Sequence, residues 1–155
     1  MCTPREAGQA QNKESQMAIN GRFYVAMDEV FPYGAFLVSD VEPVRDFDKS
    51  TRERPVQALD KESGLPVWSV SVLDADPNAR KSEKTVTVKI AAPHQPVPPA
   101  PANGLPFAAV EFDLLTVTPY VDDKRGRVAY SFRAREMRSP APVKSGRSSG
   151  ASDAA

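Results

Sequence analysis

The sequence predicts an all-β domain, a small antiparallel barrel, on three observations. Apolar residues recur on a two-residue period in several separate runs, Gly and Asp punctuate the turns between them, and no long stretch keeps a helical period. With 155 residues the chain suits one domain, which at this size buries roughly two thirds of its unfolded surface.

Seven segments carry the β signal, taken in chain order. The first is "RFYVAM" (22–27), followed by "AFLVSDVEPV" (35–44) and "PVQALD" (55–60). In "VWSVSVL" (67–73), Trp68, Val70 and Val72 fall on one side and Ser69 and Ser71 on the other. In "TVTVKIA" (85–91), Val86, Val88 and Ile90 oppose Thr85, Thr87 and Lys89. "AVEFDLLTVTPYV" (109–121) and "GRVAYSFRAR" (126–135) complete the set. "DKESGLP" (60–66), with Gly64 free to take a positive φ, reads as the turn of a hairpin joining "PVQAL" to "VWSVSVL". Asp122–Gly126 reads as the loop of a second hairpin near the C-terminal end. Hairpins and short strands of this kind fit a barrel of the oligonucleotide/oligosaccharide-binding (OB) type, with an open sandwich as the alternative.

The remaining stretches are irregular. "RDFDKSTRERP" (45–55) carries both signs of charge and reads as an exposed loop, and "DADPNARKSEK" (74–84) holds the only helical candidate, a single short turn. "APHQPVPPAPANGLP" (92–106) has six prolines and favours polyproline II. Residues 1–16 and 139–155 are polar or small with little to bury and read as disordered tails, which leaves a folded domain over 17–138. Met17 stands where the apolar patterning begins, so the first 16 residues read as a start-site extension. One cysteine, Cys2, cannot form an intramolecular disulfide, and neither a signal-type apolar run nor a membrane span is visible. Those features predict a cytoplasmic protein with no membrane partner.

Candidate catalytic chemistry is sparse. The single histidine, His94, lies in the proline-rich stretch, far in sequence from Cys2, and no nucleophile and base pair suggests itself. The glycines are isolated and make no phosphate-binding loop. Asp74 with Asp76, and Asp122 with Asp123, lack the spacing of a calcium loop and read as turn formers. Trp68 reads as core, with base stacking as its functional alternative. These residues predict a protein that is not an enzyme and carries no cofactor or metal.

Charge is more informative. Lys plus Arg equals Asp plus Glu at 20 each, so the whole molecule offers no global field to draw in a polyanion. Yet Lys124, Arg125, Arg127, Arg133, Arg135 and Arg138 face a single acid, Glu136, within 124–138. Alternation places Arg127, Arg133 and Arg135 on the solvent side of one strand, opposite Val128, Tyr130, Phe132 and Ala134. Lys89 joins this ridge if its strand pairs suitably. Such a ridge suits phosphates, with Tyr130 or Tyr120 available for stacking if exposed, and the 45–55 loop as a clamp. The plain alternative is a solvated face whose arginines pair with acids across strands.

Four segments carry a resemblance: "FPYGAFLVSDVEPVRDFDKSTRERPVQALDKESGLPVWSVSVLDADP", "KTVTVKIAAP", "AAVEFDLLTVTPYV" and "GRVAYSFRA". The chain resembles the Pra-type regulators, activators of replication, integration and excision in actinobacterial integrative and conjugative plasmids, over about 17–138. That resemblance implies a regulator encoded on a mobile element, and brings with it no defined set of DNA-contacting residues. No helix-turn-helix pattern is visible, so a helix reading the major groove is not expected. Two modes of action remain. One is direct binding of DNA, single or double stranded, through Lys89, Lys124, Arg125, Arg127, Arg133, Arg135 and Tyr130. The other is an adaptor that recruits a replication or transcription protein through a strand edge or the proline-rich segment, without touching DNA.

Overall fold

A computed structural model describes residues 21–102 and 104–141. The tail expected over 1–16, the first residues of the expected domain (17–20) and 142–155 of the C-terminal tail lie outside the described residues.

The architecture is all-β, a single sheet curled into an open half-barrel. Its strands are β1 (Phe23–Tyr24), β2 (Ala35–Leu37), β3 (Glu42–Pro43), β4 (Val67–Asp74) and β5 (Thr85–Ala91). They continue with β6 (Ala108–Asp113), β7 (Thr116–Asp122), β8 (Arg127–Ala134) and β9 (Glu136–Arg138), and one helical turn, α1 (Met27–Val30), follows β1. The sheet runs β1-β7-β8-β5-β4-β2-β6-β9, with β3 added beside β4. Val70 and Val72 of β4, Val88 and Ile90 of β5, and Val110 and Phe112 of β6 alternate onto one face and are buried there. Phe31, immediately after α1, closes over this core and meets Phe132 with ring centroids 6.5 Å apart.

The curl comes from one long hairpin. β6 and β7 form one arm and β8 and β9 the other, and the register Glu111↔Arg138 continues without slip into Asp122↔Arg127. Both arms bend at the same level. Leu114 adopts φ 50°, the left-handed region, and Arg135 donates its N–H to the Asp113 carbonyl across the bend at 3.0 Å. The buried phase flips there, from Val110 and Phe112 to Leu115 on one arm and from Ala134 to Met137 on the other. One end of the hairpin therefore pairs with β5 and the other with β2. Left-handed φ costs a branched residue about 1 kcal/mol, and Leu114 is exposed and packs little. Leu114→Gly should raise stability by about 1 kcal/mol in urea denaturation, opposite in sign to a glycine elsewhere in a strand.

Several expectations need correction. Residues 22–27 give a two-residue strand and then a helical turn rather than one long strand. Residues 35–44 split into β2 and β3, because Ser39 lies between them and its hydroxyl accepts the Ser71 N–H at 2.8 Å, where a continuous strand would have paired. Residues 55–60 form no strand, only the bridges Arg45↔Gln57 and Leu59↔Pro66. The turn at Gly64 is nonetheless present, with φ 70° and its N–H donated to the Asp60 carbonyl. Residues 74–84 contain no helix, since Asp74 and Asp76 side chains accept the N–H groups of Asp76 and Asn78 and fix turns instead. β5 and β8 pair parallel, the one exception to an antiparallel sheet.

Candidate nucleic-acid interface

Register brings the candidate cations together. Lys89 of β5 lies directly beside Arg133 of β8, so the two share the solvent face of the sheet. Across the β7–β8 hairpin, Tyr120 stands opposite Ala129 and Asp122 opposite Arg127, on this same face. Tyr130 is exposed but belongs to the other face, with Phe132, and meets the arginines only around the larger cleft. Tyr120 is the aromatic flanked by Arg127 on the ridge, half exposed, and alternation within β7 was the signal for it.

Acidic partners divide the cations into two groups. Arg133 donates to Asp60 at 2.6 Å, and Asp60 is only 8% exposed. Asp60 also accepts the Ser63 N–H at 3.0 Å and the Ser63 hydroxyl at 2.8 Å. Burial works against its charge, yet the Ser63 donors and the Arg133 guanidinium outweigh that and hold the carboxyl below the ordinary carboxylate range. Arg138 is held by Asp113 at 2.9 Å and by Glu111 at 3.1 Å, cross-strand partners that take it out of any phosphate-binding set. Arg125 reaches Asp122 at 3.7 Å and Arg127 reaches Glu83 at 3.9 Å, both exposed and loosely held. Lys89, Lys124 and Arg135 have no ion-pair partner among the described residues.

Two open clefts flank this ridge. The smaller, about 410 Å³, is walled by Arg22, Lys89, Arg133 and Arg135 against Asp60 and Glu62. Arg22 pairs with Glu62 at 2.7 Å and Arg133 with Asp60, which leaves Lys89 and Arg135 as the uncompensated charges. The larger, about 940 Å³, opens where β5 and β8 part company. Asp60 and Arg22 were absent from the sequence-based set. Asp60 meets Arg133 from 73 residues away, a separation that no local pattern reveals.

Other candidates resolve structurally. Trp68 packs against the core and donates its indole N–H to the Ala92 carbonyl at 3.1 Å. His94 is exposed in the proline-rich segment, which Gln95 ties to the Val41 carbonyl at 2.9 Å. Asp122 accepts the Lys124 N–H at 3.0 Å, a turn role. The 45–55 loop folds back on itself, the Asp46 side chain accepting from Asp48 and Lys49 and the Ser50 hydroxyl bonding Val56. No three His, Cys, Asp or Glu side chains converge among the described residues, and no helix among them is long and apolar enough to cross a membrane. Compared with protein-family models, curated proteins and solved structures, the chain gives no match.

Proposed function

We propose that this chain is a non-enzymatic activator of the replication, integration and excision of a mobile plasmid element, acting in the cytoplasm by gripping nucleic-acid phosphates on its basic sheet face. The observation that carries the binding mode is the pair Lys89 and Arg135, cations with no ion-pair partner among the described residues, set around Arg133 and Arg22 in one cleft. Tyr120 supplies a π-face on the same side of the sheet, and use of a curled β-face in this way is OB-like. The regulatory role rests on the resemblance of the sequence to Pra-type activators. Unpaired strand edges in the larger cleft favour a second role, recruitment of a replication or transcription protein.

Binding to a single-stranded 20-mer and to its duplex across a salt series tests the nucleic-acid reading. The double variant Lys89→Ala/Arg135→Ala should bind roughly tenfold more weakly at low salt, with the log–log salt slope shallower by about 2. Wild-type affinity in that variant, or no binding by the native protein at low salt, would overturn the reading.

A further inference from the structure

The larger cleft is a gap in the sheet itself. β5 and β8 pair only at Val88↔Phe132, Lys89↔Arg133 and Ile90↔Ala134, and then diverge toward their N-terminal ends. Below that point, Thr85–Thr87 pair only with β4 and Arg127–Ser131 only with β7. Each segment therefore turns one flank of its N–H and C=O groups to the gap, and beyond the Val88↔Phe132 end of the ladder no described strand pairs with that flank. Two unpaired edges face each other, an arrangement that natural sheets ordinarily cover or blunt.

Side chains from both faces line the opening, as a break in the ladder requires. On the core side it presents Phe31, Val86, Val128, Tyr130 and Phe132. Val128 is 57% and Tyr130 60% exposed although they continue the apolar face of Phe132, so that face runs out past the core with nothing over it. On the solvent side stand Lys89, Arg127 and Arg133, and around the whole cleft five basic side chains outnumber three acidic ones. Among the described residues, the exposed Arg127–Glu83 contact at 3.9 Å is the one ion pair across the mouth, and a competing carboxylate can replace it at little cost.

We infer that this gap receives an extended peptide of a partner protein as an added strand between β5 and β8, and that the peptide alternates apolar and acidic residues. Its backbone pairs with Arg127–Ser131, a length of about 16 Å at ~3.3 Å per residue, and with Thr85–Thr87 on the other flank. Its apolar residues cover Val128 and Tyr130, and its carboxylates meet Lys89 and Arg127. Acidic character on one side and apolar on the other follows from the two linings, because successive residues of a strand face opposite ways.

The probe is a blocked heptapeptide, Glu-Val-Glu-Val-Glu-Val-Glu, added to the full chain. Backbone amide exchange is followed residue by residue. At saturating peptide, amides within 85–87 and 127–131 should exchange at least tenfold more slowly. A peptide of the same composition with its valines contiguous, one N-methylated at alternate residues, and a Lys-for-Glu version should each protect at least fivefold less. Tyr130→Ser, which changes an exposed side chain, should weaken the protection at least threefold while the core amides of β4 exchange as before. Absence of protection at these amides, or equal protection by the contiguous or N-methylated control, would overturn the inference. This inference deepens the second, recruiting role, and its assay contains no nucleic acid. If the heptapeptide fails while the chain still binds DNA with a steep salt slope, the strand-addition site is lost and the basic face is untouched.

Discussion

Phe31→Ala should destabilise the protein by about 3–5 kcal/mol, measured as a fall in the urea midpoint at unchanged slope. Phe31 is 3% exposed and sits where the half-barrel is open, so its ring is the lid of the core and not one packing contact among many. Its neighbours across that opening include Phe132, and its carbonyl accepts the Gly34 N–H that turns the chain into β2. The hydrogen bond survives truncation to alanine, so the loss reports the cavity. Against a typical total of 5–15 kcal/mol, this single change consumes much of the stability. Phe31→Leu, which refills most of the volume, should cost about 1 kcal/mol. A loss below 1 kcal/mol for the alanine variant would mean that β8 collapses over the gap without help.

Asp60→Asn should cost about 2 kcal/mol at pH 7, because the amide keeps the Ser63 bonds and gives up the charge that answers Arg133. The dependence on pH identifies the cause. Asp60 titrates below its ordinary value in the folded chain, so its contribution is complete above the unfolded carboxylate value of about 3.9 and fades as pH falls through the lower folded value. Urea midpoints of native and variant protein should therefore differ most at neutral pH and converge in acid. A difference that stays constant down to pH 2.5 would assign the loss to packing. The same variant releases Arg133 from its acid, and nucleic-acid binding should become steeper in salt by about one unit of slope.

Much of this fold was legible in the sequence. "VWSVSVL" and "TVTVKIA" announce β4 and β5 because each buries one face more deeply than the other, and strict alternation is what such an environment selects. Residues 109–121 read as one run but split into β6 and β7 at the adjacent Leu114 and Leu115, where the apolar phase changes from even to odd positions. β1 and β3 fall inside runs read as strands but not their short extents, and β9 was not legible, since strands of two or three residues are too short to show a period and exist through their neighbours. On the basic ridge, alternation places Arg127, Arg133 and Arg135 on one face and lets Lys89 join them; the register of β5 and β8 sets Lys89 beside Arg133, while Arg135 follows the end of β8 at the bend. Which charges were already answered could not be seen, because Asp60 and Glu83 reach β8 through tertiary contacts. Tyr130 lies on the side opposite the arginines, as alternation has it, and its exposure is the part that alternation does not carry. Alternation assigns a residue to a face, and only the extent of the core decides whether that face is covered.

The bent hairpin over 108–138 has a consequence for synthesis on the ribosome. It holds the flanks of both β5 and β2, so a nascent chain that has emerged only as far as β5 displays the apolar faces of β4 and β5 with Val110, Phe112 and Leu115 still missing. Cooperative closure must await the last strand, which lies close to the end of the described chain. Until then the nascent sheet exposes apolar surface, and any stop codon upstream of β9 releases a product whose β6 keeps an open flank, an edge of the kind that templates aggregation.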